Sequence, residues 1–360
     1  MEIEEFIVAV EDACRGFLSD RRSEVGDISP DAVPLVDQLG DMLEGGKRLR
    51  PVLAWIGWRS AAEDPGHPAV MHSGTALELF QAAALIHDDV VDRSDHRRGH
   101  PSFHRSMAAR HRESGFSGDA EHFGTSSAIL AGDLALSWAG EAFDRAAEST
   151  GTDSSAARAV FRTMHTQVIT GQYLDVRAEI APARTTEEDA VAAARTVLRH
   201  KAAKYSTEHP VVLGAALAGA EEPLRRAWAR SALPLGEAFQ LRDDLLGVFG
   251  DPASTGKPVG DDLREGKRTE LVAYGLFRAP RGQAEELESM LGDPRLDEED
   301  VARARRILQE SGAVDEVERS IDALVAESDR RLDDVVGLGV ASDVVEDYRT
   351  VADRLVRRVR

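Results

Sequence analysis

Between Pro101 and Pro182 the chain runs without a proline. That stretch is rich in Ala, and a good helix former with no ring-locked residue among its neighbours settles into several long helices. Val70 to Asp92 reads as one helix that is apolar almost all round, the pattern of a helix in the middle of a bundle. Glu221 to Gly250 reads the same way. No window sustains a two-residue alternation of β-branched side chains, so little or no sheet is expected and the class is all-α. Loops are expected where Gly, Pro and charge gather, roughly at 20–30, 62–68, 94–102, 113–125, 180–186 and 250–268. With no fixed-period repeat and no low-complexity linker, one domain over 1–360 is expected. Its motif-bearing core spans about 40–275, and acidic, polar helices at about 280–360 lie on its outside.

Composition narrows the function classes. The 360 residues, 42% of them hydrophobic, can bury a full core. A single cysteine, Cys14, rules out an intramolecular disulfide and argues against a thiolate zinc site. The net charge of −20, from 44 basic against 64 acidic residues, argues against a nucleic-acid partner. An anionic substrate is compatible with that charge, because local basic clusters and metals invert the field inside a pocket. The acidic start Met1 to Phe6 lacks the cationic and apolar regions of a signal peptide. The longest apolar runs, such as Val211 to Ala220, fall short of a membrane span. The expectation is a soluble, cytoplasmic protein with no membrane span.

Two aspartate clusters carry the chemistry. Asp88, Asp89 and Asp92 follow Phe80-Gln81 and an apolar stretch, and precede Arg97 and Arg98. Asp243 and Asp244 follow Phe239-Gln240. Asp88 and Asp92, four apart on a helix, point the same way and repel each other. A hard divalent cation with oxygen ligands reverses that repulsion, and two such faces turned together would hold Mg²⁺ and an anionic ligand. The second cluster has Gly247 where a third carboxylate would sit, and Asp251 lies one turn further on. Gly45-Gly46-Lys47-Arg48-Leu49-Arg50-Pro51 places three cations at a loop-to-helix junction, which reads as a phosphate site or as an ordinary basic helix start. Arg97 and Arg98 would fork onto two diphosphates or pair with Asp92 and Asp95. Lys201, Lys204, Lys257 and Lys267 add cations that alone read as surface.

The combination GGKRLRP at 45–51, LIHDDVVDRSDHRRGHP at 85–101, KAAKY at 201–205, FQLRDDLLGVFGD at 239–251 and TGKPVGDDLREGKRT at 255–269 resembles the trans-isoprenyl diphosphate synthases (polyprenyl synthetases), geranylgeranyl diphosphate synthases in particular. The motifs stand in that family's order and spacing over about 40–275. The resemblance implies antiparallel helices around a central cavity, usually in a homodimer. It implies Mg²⁺, about three ions per site, and condensation of isopentenyl diphosphate with an allylic diphosphate into a longer all-trans prenyl diphosphate. By resemblance, Asp88, Asp92 and Asp243 ligate metal with Asp89 and Asp244 in support, and Asp262 stands behind them. Arg97, Lys201 and Lys257 hold the allylic diphosphate, and Lys267 closes over it. Lys47, Arg50, Gln81 and Arg98 hold isopentenyl diphosphate, while Gln240 and the Lys201 region face the cation. Two positions depart from the pattern: Ala202 stands where many members have Thr, and Gly247 ends the second aspartate motif. The C-terminal Arg354, Arg357, Arg358 and Arg360 would fold over the closed site or, in the favoured reading, form a solvated helix end.

Product length is read from the helix before Asp88. Ala84 and Ala83 leave a tunnel open past C15, and Phe80 one turn deeper is a floor unless its ring turns sideways into the bundle core, which would put the floor on another helix. A turn is about 5.4 Å, roughly one isoprene unit, so the expected product is C20 geranylgeranyl diphosphate, with C25 or longer as the alternative. A class I terpene cyclase would not need a second diphosphate site. A non-catalytic regulatory subunit would have lost carboxylates or the Lys47/Arg50 pair, and a metal-loaded structural bundle would lack basic clusters.

Overall fold

The computed structural model describes residues 1–182, 184–250 and 260–356. Their backbone is helical nearly throughout, as the absence of strand periodicity requires. The one sheet among the described residues is a hairpin of two-residue strands, His96–Arg97 and His100–Pro101. The chain divides into two compact units that interleave in sequence, so neither is a contiguous segment.

The first unit comprises residues 1–160, 210–225 and 340–347. It holds α1 (Ile3–Ile28), α2 (Val33–Leu43), α3 (Leu49–Arg59), α4 (Pro68–Val91), α5 (Phe103–Glu113) and α6 (Ala120–Ser149). The expected Val70–Asp92 helix is α4, and it is buried nearly all round, packing chiefly on α6 and also on α3 and α1. By length and composition α4 would cross a membrane, yet 72% of its apolar window is buried. Its close approach to α6 depends on Gly132, where a Cβ would sit 2.1 Å from His87 Nε2. Phe6 stacks on Trp55 at 5.0 Å, tying α1 to α3.

The loop expected at 20–30 is mostly helix, because α1 continues to Ile28. The run of charge that reads as a loop is held by partners distant in sequence. Arg21 donates to both oxygens of Glu141 on α6, and Arg22 pairs with Asp37 on α2.

The second unit comprises residues 161–209, 226–339 and 348–360. It includes most of α7 (Ser155–Ile180), α8 (Glu187–Leu198), a ten-residue π-helical stretch (Arg199–Glu208) and most of α10 (Glu222–Phe249), α9 being His209–Leu217. The α10 helix is the expected second long helix. There follow α11 (Asp261–Glu265), α12 (Glu270–Arg278), α13 (Arg281–Met290), α14 (Glu298–Glu310) and α15 (Ala313–Gly337), whereas α9 from Pro210 on and the start of α16 (Ser342–Val356), up to Asp347, belong to the first unit. The C-terminal helices do more than cover the outside. Leu287, Val301, Ile307, Leu308, Val317 and Ile321 join Leu241, Leu245 and Leu271 in one apolar core. Each helix turns an apolar stripe inward and its charged face outward, which an average over composition hides.

Candidate active site

In the first unit the carboxylates sit at the C-terminal end of α4. Asp89 is fully buried, whereas Asp88 and Asp92 are partly exposed on the neighbouring face. Arg97 folds back onto them from the hairpin. Its Nε donates to Asp89 Oδ1 at 2.9 Å, and its Nη2 donates to Asp88 Oδ2 at 3.2 Å and again to Asp89. Arg97 therefore pairs with Asp88 and Asp89, and Asp95 takes Arg105. Asp89 directs one oxygen to Arg97, which suits it to hold the arginine behind Asp88.

Arg98 turns the other way. It shares the hairpin's two-residue turn with Gly99, at φ 53° and 80°, and paired positive φ values are what a type I′ turn demands. Its guanidinium lies over Gly46, so that a Cβ there would come within 3.4 Å of Nη1. Partial burial of the guanidinium lowers its pKa, Glu78 opposes that, and Arg97, Arg48 and Arg50 add to it. Repulsion of Arg98 by these cations is what an anion with several oxygens relieves. Of the other predicted residues, Lys47 is exposed, and Arg50 and Gln81 are partly exposed. Gln81 lies seven residues before Asp88, on the same helix face. Ala84 is partly exposed, while Ala83 and Phe80 are buried.

The second unit holds the other predicted cluster on α10. Gln240 Nε2 donates to Asp244 Oδ1 at 3.0 Å, so in this structure it supports a carboxylate. Asp244 is partly exposed as a residue, but its carboxyl is densely surrounded. Desolvation, Asp262 and Asp243 together push its pKa up to about 8, against the Gln240 hydrogen bond and Lys267. Asp262 reaches in from α11, and Lys267 Nζ pairs with it at 3.3 Å. Lys201 pairs with the buried Asp175 of α7. The π-helical stretch carrying Lys201 and Lys204 packs against two glycines. A Cβ on Gly171 would meet the Lys201 backbone nitrogen at 2.3 Å, and one on Gly236 would meet Ala203 O at 2.5 Å. Such wide turns recur at functional sites because they redirect side chains without breaking the helix. Lys257, Asp251, Arg357, Arg358 and Arg360 lie outside the described residues.

Among the described residues no three His, Cys, Asp or Glu side chains converge as a preformed metal cage. Mg²⁺ does not require one, since it is usually held by one or two carboxylates together with waters and substrate phosphates. Asp243, Asp244 and Asp262 crowd like charges into poorly solvated space, and Asp88 with Asp92 stack them along a helix. Both donor sets fit a hard divalent cation.

The family model for polyprenyl synthetase matches residues 34–308. The chain belongs to this family. It is accordingly an enzyme, a trans-prenyltransferase. A geranylgeranyl pyrophosphate synthase from Corynebacterium glutamicum, solved with isoprenyl diphosphate and magnesium, is similar at a TM-score of 0.93 and 38% identity over 100% of both chains. The geranylfarnesyl diphosphate synthase of Aeropyrum pernix is 34% identical over 279 residues, 76% of this chain and 79% of that protein. The geranylgeranyl diphosphate synthase of Saccharolobus solfataricus is 30% identical over 266 residues, 74% and 73% of the two chains.

Reading the polyprenyl synthetase motifs alone passes over three side chains. Glu78 is the one acidic residue in α4 before Asp88, and a lone carboxylate in an apolar helix has to find a cation. Asp175 follows Gln172 on α7 and had no motif to draw attention to it. Arg48 stands between two predicted ligands, and nothing local tells that it points inward.

Proposed function

We propose that this polyprenyl synthetase condenses isopentenyl diphosphate with an allylic diphosphate to give geranylgeranyl diphosphate, and that residues 1–360 act as one enzyme domain. The observation that carries the two-substrate reading is the divergence of Arg97 and Arg98. Adjacent in sequence, they face an aspartate cluster and a basic loop respectively. A reaction with a single diphosphate would use only one of these environments.

Asp88, Asp92 and Asp243 would hold Mg²⁺, with Asp89 and Asp244 in support. Bound there, a divalent cation would supply Lewis-acid stabilisation of the charge that develops on the leaving diphosphate. Lys201, aimed by Asp175, binds the departing diphosphate together with Arg97, and Lys267 closes over it. Lys47, Arg50, Gln81 and Arg98 orient isopentenyl diphosphate so that its double bond reaches the allylic cation. Loss of a proton then restores an allylic diphosphate one isoprene unit longer. Much of the gain is positional, since two anionic substrates that repel in water are held in reacting order.

The chain grows down α4 past Ala84 and Ala83 to Phe80, a residue 1% exposed in the core. The relatives' names, geranylgeranyl and geranylfarnesyl diphosphate synthase, are those of C20 and C25 enzymes, so they support this C20 reading and its C25 alternative alike. A homodimer in the cytoplasm is part of the proposal. Ile129 and Leu130 on α6 are 44% and 61% exposed, and a second copy would cover them.

The test is incubation with Mg²⁺, isopentenyl diphosphate and each allylic starter, followed by sizing of the dephosphorylated alcohols. A C20 alcohol supports the whole reading. Longer alcohols keep the chemistry and remove the Phe80 floor, and no elongation with any starter overturns the reading.

A further inference from the structure

Three non-glycine residues have positive φ among the described residues, and all are arginines: Arg48, Arg93 and Arg98. Arg48 is the middle cation of Lys47-Arg48-Leu49-Arg50 and the only buried one, at 6% exposed. Left-handed backbone is disfavoured for a side chain of this size, so the surrounding structure has to hold it there. Gly45 and Gly46, at φ 69° and 92°, lead into it, and Arg48 at φ 49° caps the start of α3. The result is a loop whose exposed lysine and buried arginine are adjacent in sequence.

The buried guanidinium spends its donors on three elements. Nη1 donates to Glu78 Oε2 on α4 at 2.6 Å, Nη2 to the Leu43 carbonyl that ends α2 at 2.6 Å, and Nε to Glu11 Oε1 on α1 at 3.2 Å. The surroundings are dry. Cys14, hydrogen-bonded to Thr75, has its thiol pKa pushed up to about 12, by burial first and then by Glu78. Glu78 also acts on Arg98, where it opposes the combined repulsion of Arg97, Arg48 and Arg50. It lies three residues before Gln81 and ten before Asp88 on the same helix.

We infer that the Arg48–Glu78 pair is a positioning strut for the isopentenyl diphosphate subsite, an inference that rests on the functional reading above. Neither residue touches substrate. Arg48 fixes the loop so that Lys47 and Arg50 face outward. Glu78, held by Arg48, is the counter-charge behind Arg98 that lets mutually repelling cations stay close. With both Glu78 and Glu11 on Arg48, the buried guanidinium adds no net positive charge, and the cations turned outward are Lys47, Arg50 and Arg98, which a diphosphate neutralises.

The experiment compares the wild type with Arg48→Gly, Glu78→Gln, their double variant and Glu78→Asp. Glycine at 48 keeps the backbone conformation while removing the strut. The KM of each substrate is measured with the other saturating, alongside kcat and Tm. In both single variants the KM for isopentenyl diphosphate is expected to rise ~10-fold or more, with the allylic KM within ~2-fold. The double variant is expected to be no worse than the poorer single, as for two parts of one unit. Glu78→Asp keeps the charge and shortens the reach, so it should show the same split at smaller size even if the other variants fail to fold. An unchanged isopentenyl diphosphate KM in Glu78→Asp, a parallel rise of both KM values, or additive effects in the double variant would overturn the strut. If the wild type itself elongates nothing, the functional reading fails first, and the strut fails with it.

Discussion

The carboxylate of Asp262 occupies the space that a side chain at Gly247 would fill. A Cβ placed on Gly247 would lie 1.8 Å from Asp262 Oδ2 and 2.5 Å from its Cγ. The missing third carboxylate of the second motif is thus no vacancy, because an acidic group from another helix already stands there.

Gly247→Ala therefore reverses the usual sign of such a change. In an open helix interior alanine gains about 1 kcal/mol over glycine. Here it should cost about 1–3 kcal/mol through overpacking against Asp262. Gly247→Asp, which completes the aspartate motif on paper, should lower both Tm and kcat. A more active or more stable Gly247→Asp enzyme would contradict the finding.

Asp88→Ala removes a carboxylate proposed to hold metal but leaves Arg97 its buried partner Asp89. Turnover is expected to fall ~10²-fold or more while circular dichroism stays that of the wild type. An active Asp88→Ala enzyme would end the assignment of Asp88 to metal.

Phe80 is too well buried for alanine to be a clean probe, since truncation would cost about 3–5 kcal/mol. Phe80→Leu keeps more of the packing and lowers the floor less. Product alcohols should lengthen in the order wild type, Leu, Ala. The same C20 alcohol from all three would place the floor on another helix.

His209 Nε2 hydrogen-bonds Gln167 Oε1 at 2.9 Å. Burial first, then Lys204 and His200, lower its pKa to about 3. Unfolded histidine titrates near 6.5, so between those values the unfolded chain binds the extra proton. Stability from keeping His209 neutral is complete above about pH 6.5 and is lost as pH falls toward 3. At pH 5 the loss is about 2 kcal/mol. His209→Gln should flatten Tm against pH over that window, and an unchanged slope would show that other groups set it.

Arg50→Ala should raise the KM for isopentenyl diphosphate ~10-fold or more with little change for the allylic substrate. Equal effects on both would mean that the two subsites are assigned the wrong way round.

What the sequence determined by itself was whatever is written within a few turns of one helix. The apolar circumference of α4, the i, i+4 pair Asp88 and Asp92, and the long helix carrying Asp243 all follow from local spacing, and the structure contains them. The order of the motifs was enough to point to the family. Tertiary structure alone decided where the charges point. Arg48 and Lys47 are chemically alike and adjacent, yet one is buried on Glu78, thirty residues away, and the other is exposed. The charges of 20–30 read as loop until Glu141 and Asp37 pair with them in a continuous α1. Gly247 read as a missing carboxylate until Asp262 came to lie on it. Helix periodicity is a property of neighbouring residues, whereas the cost of burying a charge depends on a partner that only the folded chain brings near.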